Sequence, residues 1–155
     1  MVTCKAAEYI SSPSGNLALL FYAEETDSHA AVAIVKSSDG ETVWGIKKYG
    51  NNQGEGTDMK ISKDGTSIII GGQGGPPFTP TGALYGKLTS VSVADGSHQW
   101  TKTFTVGGTP SLLFNECWGL ALTADGGYTL ACGAGIEECG GFSGTLKSEC
   151  DAGIG

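Results

Sequence analysis

The chain has 155 residues, a net charge of −7, and lysine as its only basic residue besides two histidines. That length is enough for one domain with a core, and 39% hydrophobic residues exclude general disorder. Without arginine the chain lacks the bidentate fork that reads phosphates and guanine edges, so neither nucleic acid nor an anionic membrane surface is an expected partner.

No stretch reaches the roughly 18 apolar residues of a membrane span, so no membrane insertion is expected. Met1-Val2-Thr3-Cys4-Lys5 lacks the apolar centre of a signal peptide. Either the chain is cytosolic, or it belongs to a longer protein whose signal lies elsewhere. The apolar runs are short and rich in Val, Ile, Thr and aromatic residues, and no window has helical periodicity. The expected class is all-β.

The first unit, residues 1–49, has a turn at Ser14-Gly15 and a strand over Leu17–Tyr22. A third strand covers Ala30–Lys36, and a fourth covers Thr42–Tyr49 around Trp44. The second unit, residues 50–106, has strands near 57–62, 67–72, 84–93 and 97–106. Its last strand carries Trp100, and its central loop is glycine-rich at 71–75. The third unit, residues 107–155, has strands at 118–123, 128–133 and 142–149. No Trp-bearing fourth strand follows, so this unit lacks its outer strand.

Asp-Gly pairs sit between the strands at Gly40, Gly65, Gly96 and Gly126. Asp-Gly between alternating apolar residues predicts two-residue type I′ hairpins, with positive φ at both centres. The pairs alternate in kind. Gly40 and Gly96 are each followed four residues on by a Trp, whereas Gly65 and Gly126 lead into short apolar strands. This alternation predicts a repeat of about four strands, with four short strands per unit as in propeller blades.

Val93-Ala94-Asp95-Gly96-Ser97-His98-Gln99-Trp100 resembles the Asp-x-x-Gly-x-x-x-Trp core of pyrroloquinoline-quinone-type and related bacterial β-propeller repeats. Leu122-Thr123-Ala124-Asp125-Gly126-Gly127-Tyr128 resembles the Asp-Gly-Gly-Tyr step of secreted propeller repeats. The likeness covers most of residues 8–150 at the level of pattern. It implies an incomplete β-propeller, with a β-trefoil as the alternative. The motifs are short and speak for fold more than activity.

Candidate chemistry reduces to structural readings at most positions. The four Asp-Gly aspartates read as turn residues rather than calcium ligands. Trp44 and Trp100 recur at equivalent places and are expected to pack between units. Trp118 starts a strand and is a binding candidate, as are Glu137 and Glu138 in an acidic loop. His29 and His98 have no ligand spacing to each other or to a cysteine. Ser143 nearly matches a nucleophile elbow but lacks its last glycine and its helix. No catalytic residue, metal site or cofactor is expected.

Four of the five cysteines, Cys117, Cys132, Cys139 and Cys150, fall in the last third. With Asp125-Gly126 as a two-residue turn, Thr123 faces Tyr128 and Gly119 faces Cys132. Cys117 is then a diagonal neighbour of Cys132, and a bulge would bring the two opposite each other. A Cys117–Cys132 bridge, two buried thiols, or pairing with Cys139 or Cys150 all fit the sequence. Cysteine use on this scale predicts an oxidising, extracellular or periplasmic compartment.

The functional expectation is a non-catalytic binding or scaffold segment of a larger secreted or surface propeller. Its loops would carry a protein or carbohydrate ligand. Its other partners would be further blades of the same chain, or a second copy. The alternatives are a fragment of a quinoprotein-type oxidoreductase, or a β-trefoil lectin or inhibitor.

Overall fold

Ten strands and no helix make up the regular structure of the described residues. The computed structural model describes residues 2–11, 15–23, 29–49, 54–74, 85–104 and 114–135. The strands are β1 (Val2–Ile10), β2 (Asn16–Ala23), β3 (His29–Lys36), β4 (Thr42–Tyr49) and β5 (Gly54–Ile61). They continue as β6 (Ser67–Gly74), β7 (Tyr85–Ser92), β8 (His98–Phe104), β9 (Phe114–Leu122) and β10 (Tyr128–Gly135). The strand expected at 142–149 lies outside the described residues.

The strands pair in sequence order as antiparallel sheets of four, four and two strands, none of them closed. Sheet 1 is β1–β2–β3–β4, sheet 2 is β5–β6–β7–β8 and sheet 3 is β9–β10. A single parallel bridge between His29 and Gly54 links the first two.

The alternation of side chains along each strand decides what the sheets bury. Ile10, Ala18, Leu20, Ala30, Val32 and Ile34 leave one face of sheet 1 and pack in one cluster with Met59, Ile68, Ile70 and Val91 of sheet 2. The opposite face of sheet 2 meets sheet 3. A methyl group built on Gly71 would stand 2.8 Å from Leu130 Cδ2 and 3.4 Å from Leu120 Cβ. Strand β6 is therefore covered on both sides, which is why Ile68, Ile69 and Ile70 can be contiguous and all buried.

The first strand of each following sheet makes the closest approach. Strand β5 lies against β1, β2 and β3, and β9 lies against β5, β6 and β7. Among the described residues the main chains of the outer strands β4 and β8 come that close only to their own neighbours β3 and β7.

The Asp-Gly hairpins form, but as longer loops than type I′. The Lys36 amide donates to the Glu41 carbonyl and the Ser92 amide to the Ser97 carbonyl, so residues 37–40 and 93–96 are the loops. Ser62 to Ser67 and Thr123 to Gly127 close the other two. The reason lies in the aspartates. Each carboxylate accepts the amide two residues ahead, at Glu41, Thr66, Ser97 and Gly127, and holds a wider turn. The following glycine carries positive φ, from 68° at Gly96 to 89° at Gly126.

These loops also shift the last hairpin. Leu122, not Thr123, faces Tyr128, and Cys117, not Gly119, faces Cys132. One step of the shift comes from the turn. The other comes from a bulge that leaves Trp118 without a partner between Gly119 and Cys117. Strands β1 and β5 carry the same irregularity, at Lys5 and Thr57.

Candidate functional site

The bulges set the geometry where the three sheets meet. At the second one, the Thr57 hydroxyl donates to the Cys117 carbonyl of β9. It also stands 3.2 Å from the Gly71 carbonyl. The Gln73 side-chain oxygen accepts the Cys117 amide at 3.2 Å, and the Asp58 carboxylate accepts the Leu120 amide at 2.9 Å. An irregular strand offers main-chain groups that its own ladder cannot use, and side chains of sheet 2 take them. Cys117 is fully buried and forms a disulfide with Cys132.

Further along β5, Lys60 sits between two carboxylates. It pairs with Glu8 of β1 and lies 3.3 Å from Asp58. Burial alone would lower the Lys60 pKa, but the hydrogen bond that Lys60 donates to Glu8 and the charges of Asp58 and Glu8 outweigh it and raise it. The ammonium is thus held charged between sheets 1 and 2, while Asp58 ties sheet 2 to sheet 3. All three side chains are about a quarter to a third exposed, at 30%, 29% and 24% for Lys60, Glu8 and Asp58. Their partners are protein groups. Among the described residues no three His, Cys, Asp or Glu side chains are grouped to hold a metal ion.

Where the outer part of sheet 1 meets sheet 2, the anchors are aromatic. Trp44 Nε1 donates to the Val93 carbonyl at 2.9 Å, and the Tyr49 hydroxyl donates to the Gly96 carbonyl at 2.7 Å. Lys47 reaches the Asp95 carbonyl. Burial, and then the nearby Asp95 charge, push the Tyr49 pKa up to about 12. The β7–β8 turn is the socket, and β4 of sheet 1 supplies the groups that fill it. A lesser version joins sheets 2 and 3, where Lys63 Nζ donates to the Ala124 carbonyl at 2.8 Å.

The turn aspartates act locally. Hydrogen bonds from neighbouring backbone amides and hydroxyls hold Asp39, Asp64, Asp95 and Asp125 below the ordinary carboxylate range. For Asp64 the Ser62 hydroxyl leads, at 2.6 Å, and Thr66 adds its amide and hydroxyl. Each carboxylate serves the turn that carries it.

One open depression of about 450 Å³ lies at the end of sheet 1. Tyr9 and Val43 form its apolar wall, and Asn16, Lys36, Ser37 and Ser38 its polar one. Ser37 Oγ donates to the Gly15 carbonyl and ties the two loops on either side together.

The other sequence candidates are placed as follows. Trp118 is the bulge residue of β9 and is 59% exposed. Trp100 is half-buried on β8, with Lys102 Nζ 5.5 Å from its ring centroid. His98 bonds the Thr101 hydroxyl at 2.9 Å, and His29 begins β3. Glu137, Glu138, Cys139, Ser143 and Cys150 lie outside the described residues. Trp118, Lys60 and the depression are not brought together into one site.

Sequence reasoning missed Glu8, Asp58, Lys60, Thr57 and Tyr49. Their roles depend on bulges and on which sheet lies opposite, and neither leaves a local pattern. No protein-family model matches the chain, and comparison with curated proteins and with solved structures gives no match.

Proposed function

We propose that this chain is an arc of a β-propeller and serves as a non-catalytic binding scaffold. In this reading each sheet is a blade, and the first strands β1, β5 and β9 line the axis. One observation carries it. Main chains of successive sheets approach most closely through these first strands, while β4 reaches sheet 2 by its long side chains Trp44, Lys47 and Tyr49. Sheets whose main chains are close on one side and spaced by long side chains on the other fan about an axis, as blades do.

The recurring bulges at Lys5, Thr57 and Trp118 support the same frame, because each marks the same part of a first strand. The ligand is a protein or carbohydrate held by loops rather than by the packed strands. Trp118 sits at the β9 bulge rather than on a loop and, at 59% exposed, adds an aromatic stacking surface. The disulfide favours a secreted or surface protein over a cytosolic one.

A crystal structure of the protein tests the architecture. One rotation about a common axis beside β1, β5 and β9 should superpose sheet 1 on sheet 2 and sheet 2 on sheet 3. Sheets related by translation, or a threefold trefoil arrangement, would end the proposal. Glycan-array and protein-array binding, with Trp118→Ala as control, tests the role. Binding that is indifferent to every loop would speak against a loop-borne ligand.

A further inference from the structure

The two contacts between sheets use the same pair of faces in the same order. Call face B of a sheet the side turned toward the following sheet, and face A the side turned toward the preceding one. Face B of sheet 1, with Ala18 and Leu20, packs on face A of sheet 2, with Ile68 and Ile70. Face B of sheet 2, at Gly71, packs on face A of sheet 3, at Leu120 and Leu130. Among the described residues, such a head-to-tail contact leaves one unmatched face at each end of the stack.

At one end is face A of sheet 1. Alternation places Leu17, Leu19 and Phe21 there, because Ala18 and Leu20 point the other way. Tyr9, Val43 and Ile46 share that face, and they are 58%, 45% and 63% exposed. The bulge at Lys5 matches the one at Thr57, which aligns Leu17 with Ile68 and Val35 with Val91. Ile68 and Val91 are the residues of sheet 2 buried beneath sheet 1. Sheet 1 therefore carries on this face an apolar surface in the register that sheet 2 buries, half-buried at Leu17, Leu19, Phe21 and Val35 and exposed at Tyr9, Val43 and Ile46.

The depression lies at the matching turn, and among the described residues sheet 3 has no fourth strand to fill it as β4 fills the socket on sheet 2. The Lys36–Ser38 wall of the depression belongs to the β3–β4 turn, the counterpart of the β7–β8 turn into which Trp44 and Tyr49 reach. On sheet 2 that socket is filled. On sheet 1 it is open, and a methyl group on Gly40 would meet nothing within 4 Å, where one on Gly96 would strike three side chains.

At the other end is face B of sheet 3. Leu130 and Leu120 point into sheet 2, so Thr129, Ala131 and Ala121 point away, and all three are exposed. They are small, as Gly71 is at the position of Ala131 on sheet 2. Small residues let sheets approach closely.

From this we infer that face A of sheet 1 is a docking surface for a second copy of this chain, which stacks on it through face B of its sheet 3. The contact continues the order already present within one chain. It is head-to-tail, so the two partners use different surfaces. It rests on the stacking of the sheets and not on the ring reading, and it holds whether the stack closes or stays open.

Sedimentation velocity over a range of concentrations tests it, with free thiols alkylated and no reductant present, so that Cys4 cannot cross-link copies. The wild type should show a mass that rises with concentration. Ile46→Lys on sheet 1 and Thr129→Lys on sheet 3 should each abolish that rise. Both sites are exposed, so the thermal midpoint should hold, and Val43→Glu and Ala131→Lys serve as second variants. An equimolar mixture of Ile46→Lys and Thr129→Lys should give a one-to-one dimer and nothing larger, because each retains the surface the other lacks. A wild type that stays monomeric at all concentrations overturns the inference. So does a Thr129→Lys variant that still associates, since that would mean sheet 1 pairs with itself. Neither result would alter the rotation between sheets in the crystal, on which the propeller reading stands or falls.

Discussion

Gly96 and Gly40 occupy equivalent turns, and their surroundings differ. Both have positive φ, 68° and 76°, which costs a side chain about 1–2 kcal/mol. At Gly96 a new methyl would also lie 2.8 Å from the Tyr49 hydroxyl, 2.9 Å from Lys47 Cδ and 3.0 Å from Trp44 Cζ3. Overpacking of this kind adds about 1–3 kcal/mol. Gly96→Ala should therefore destabilise the protein clearly more than Gly40→Ala in denaturant titrations, and equal losses would deny that this turn is a socket. Tyr49 gives the same contact a pH signature. Its pKa is raised to about 12 in the folded chain, so folding favours the protonated phenol. That contribution is intact below the unfolded value near 10 and is lost as pH rises from about 10 toward 12. The alkaline fall in stability should be shallower in Tyr49→Phe, and absorbance titration should lose a late-ionising tyrosine. The sequence shows the glycines at these turns, because Asp-Gly is a local signal. It does not show that Gly96 is enclosed and Gly40 is open, because only the neighbouring sheet creates that difference.

Strands were legible wherever alternation or an unbroken apolar run was strong, as in Leu17–Tyr22 and Ser67–Gly72. Register was less so. The spacing from Asp125-Gly126 sets Cys117 diagonal to Cys132, and a wider turn with a bulge at Trp118 puts them opposite each other. A bulge has no fixed composition, and those at Lys5, Thr57 and Trp118 share no residue type. The consequence for β9 and β10 is covalent. Their disulfide spans 15 residues of sequence, and a loop of that length gains about 3 kcal/mol from restricting the unfolded chain. Replacing Cys117 and Cys132 together by serine should cost on that order in reversible unfolding. Peptide mapping after alkylation without reductant should recover Cys117 linked to Cys132 and Cys4 modified. Recovery of alkylated Cys117 and Cys132 would remove the bridge, and with it the argument for an oxidising compartment.

The three sheets are not joined by equal means. Sheets 1 and 2 share the large apolar cluster from Ile10 to Val91, and aromatic anchors close its outer edge. Among the described residues, sheet 3 meets sheet 2 through Leu120, Leu130 and a short row of polar bonds to its main chain. Apolar burial scales with area, whereas a net hydrogen bond contributes about 0.5–1.5 kcal/mol. Sheet 3 is therefore the part that opens first, at a free energy below that of global unfolding. Asp58 is the place to test this, because it accepts the Leu120 amide with one oxygen and faces Lys60 with the other. Asp58→Ala leaves that amide without its acceptor, at a cost of about 1–3 kcal/mol. Hydrogen exchange should then quicken across β9 and β10, while β2 and β3, on the far side of the apolar cluster, keep their rates. Glu8→Gln provides the contrast, since it weakens the Lys60 pair and leaves the Leu120 bond intact. It should leave sheet 3 unchanged. If Asp58→Ala instead raises exchange equally in all three sheets, the stack unfolds as one unit, and Asp58 is no hinge between its parts.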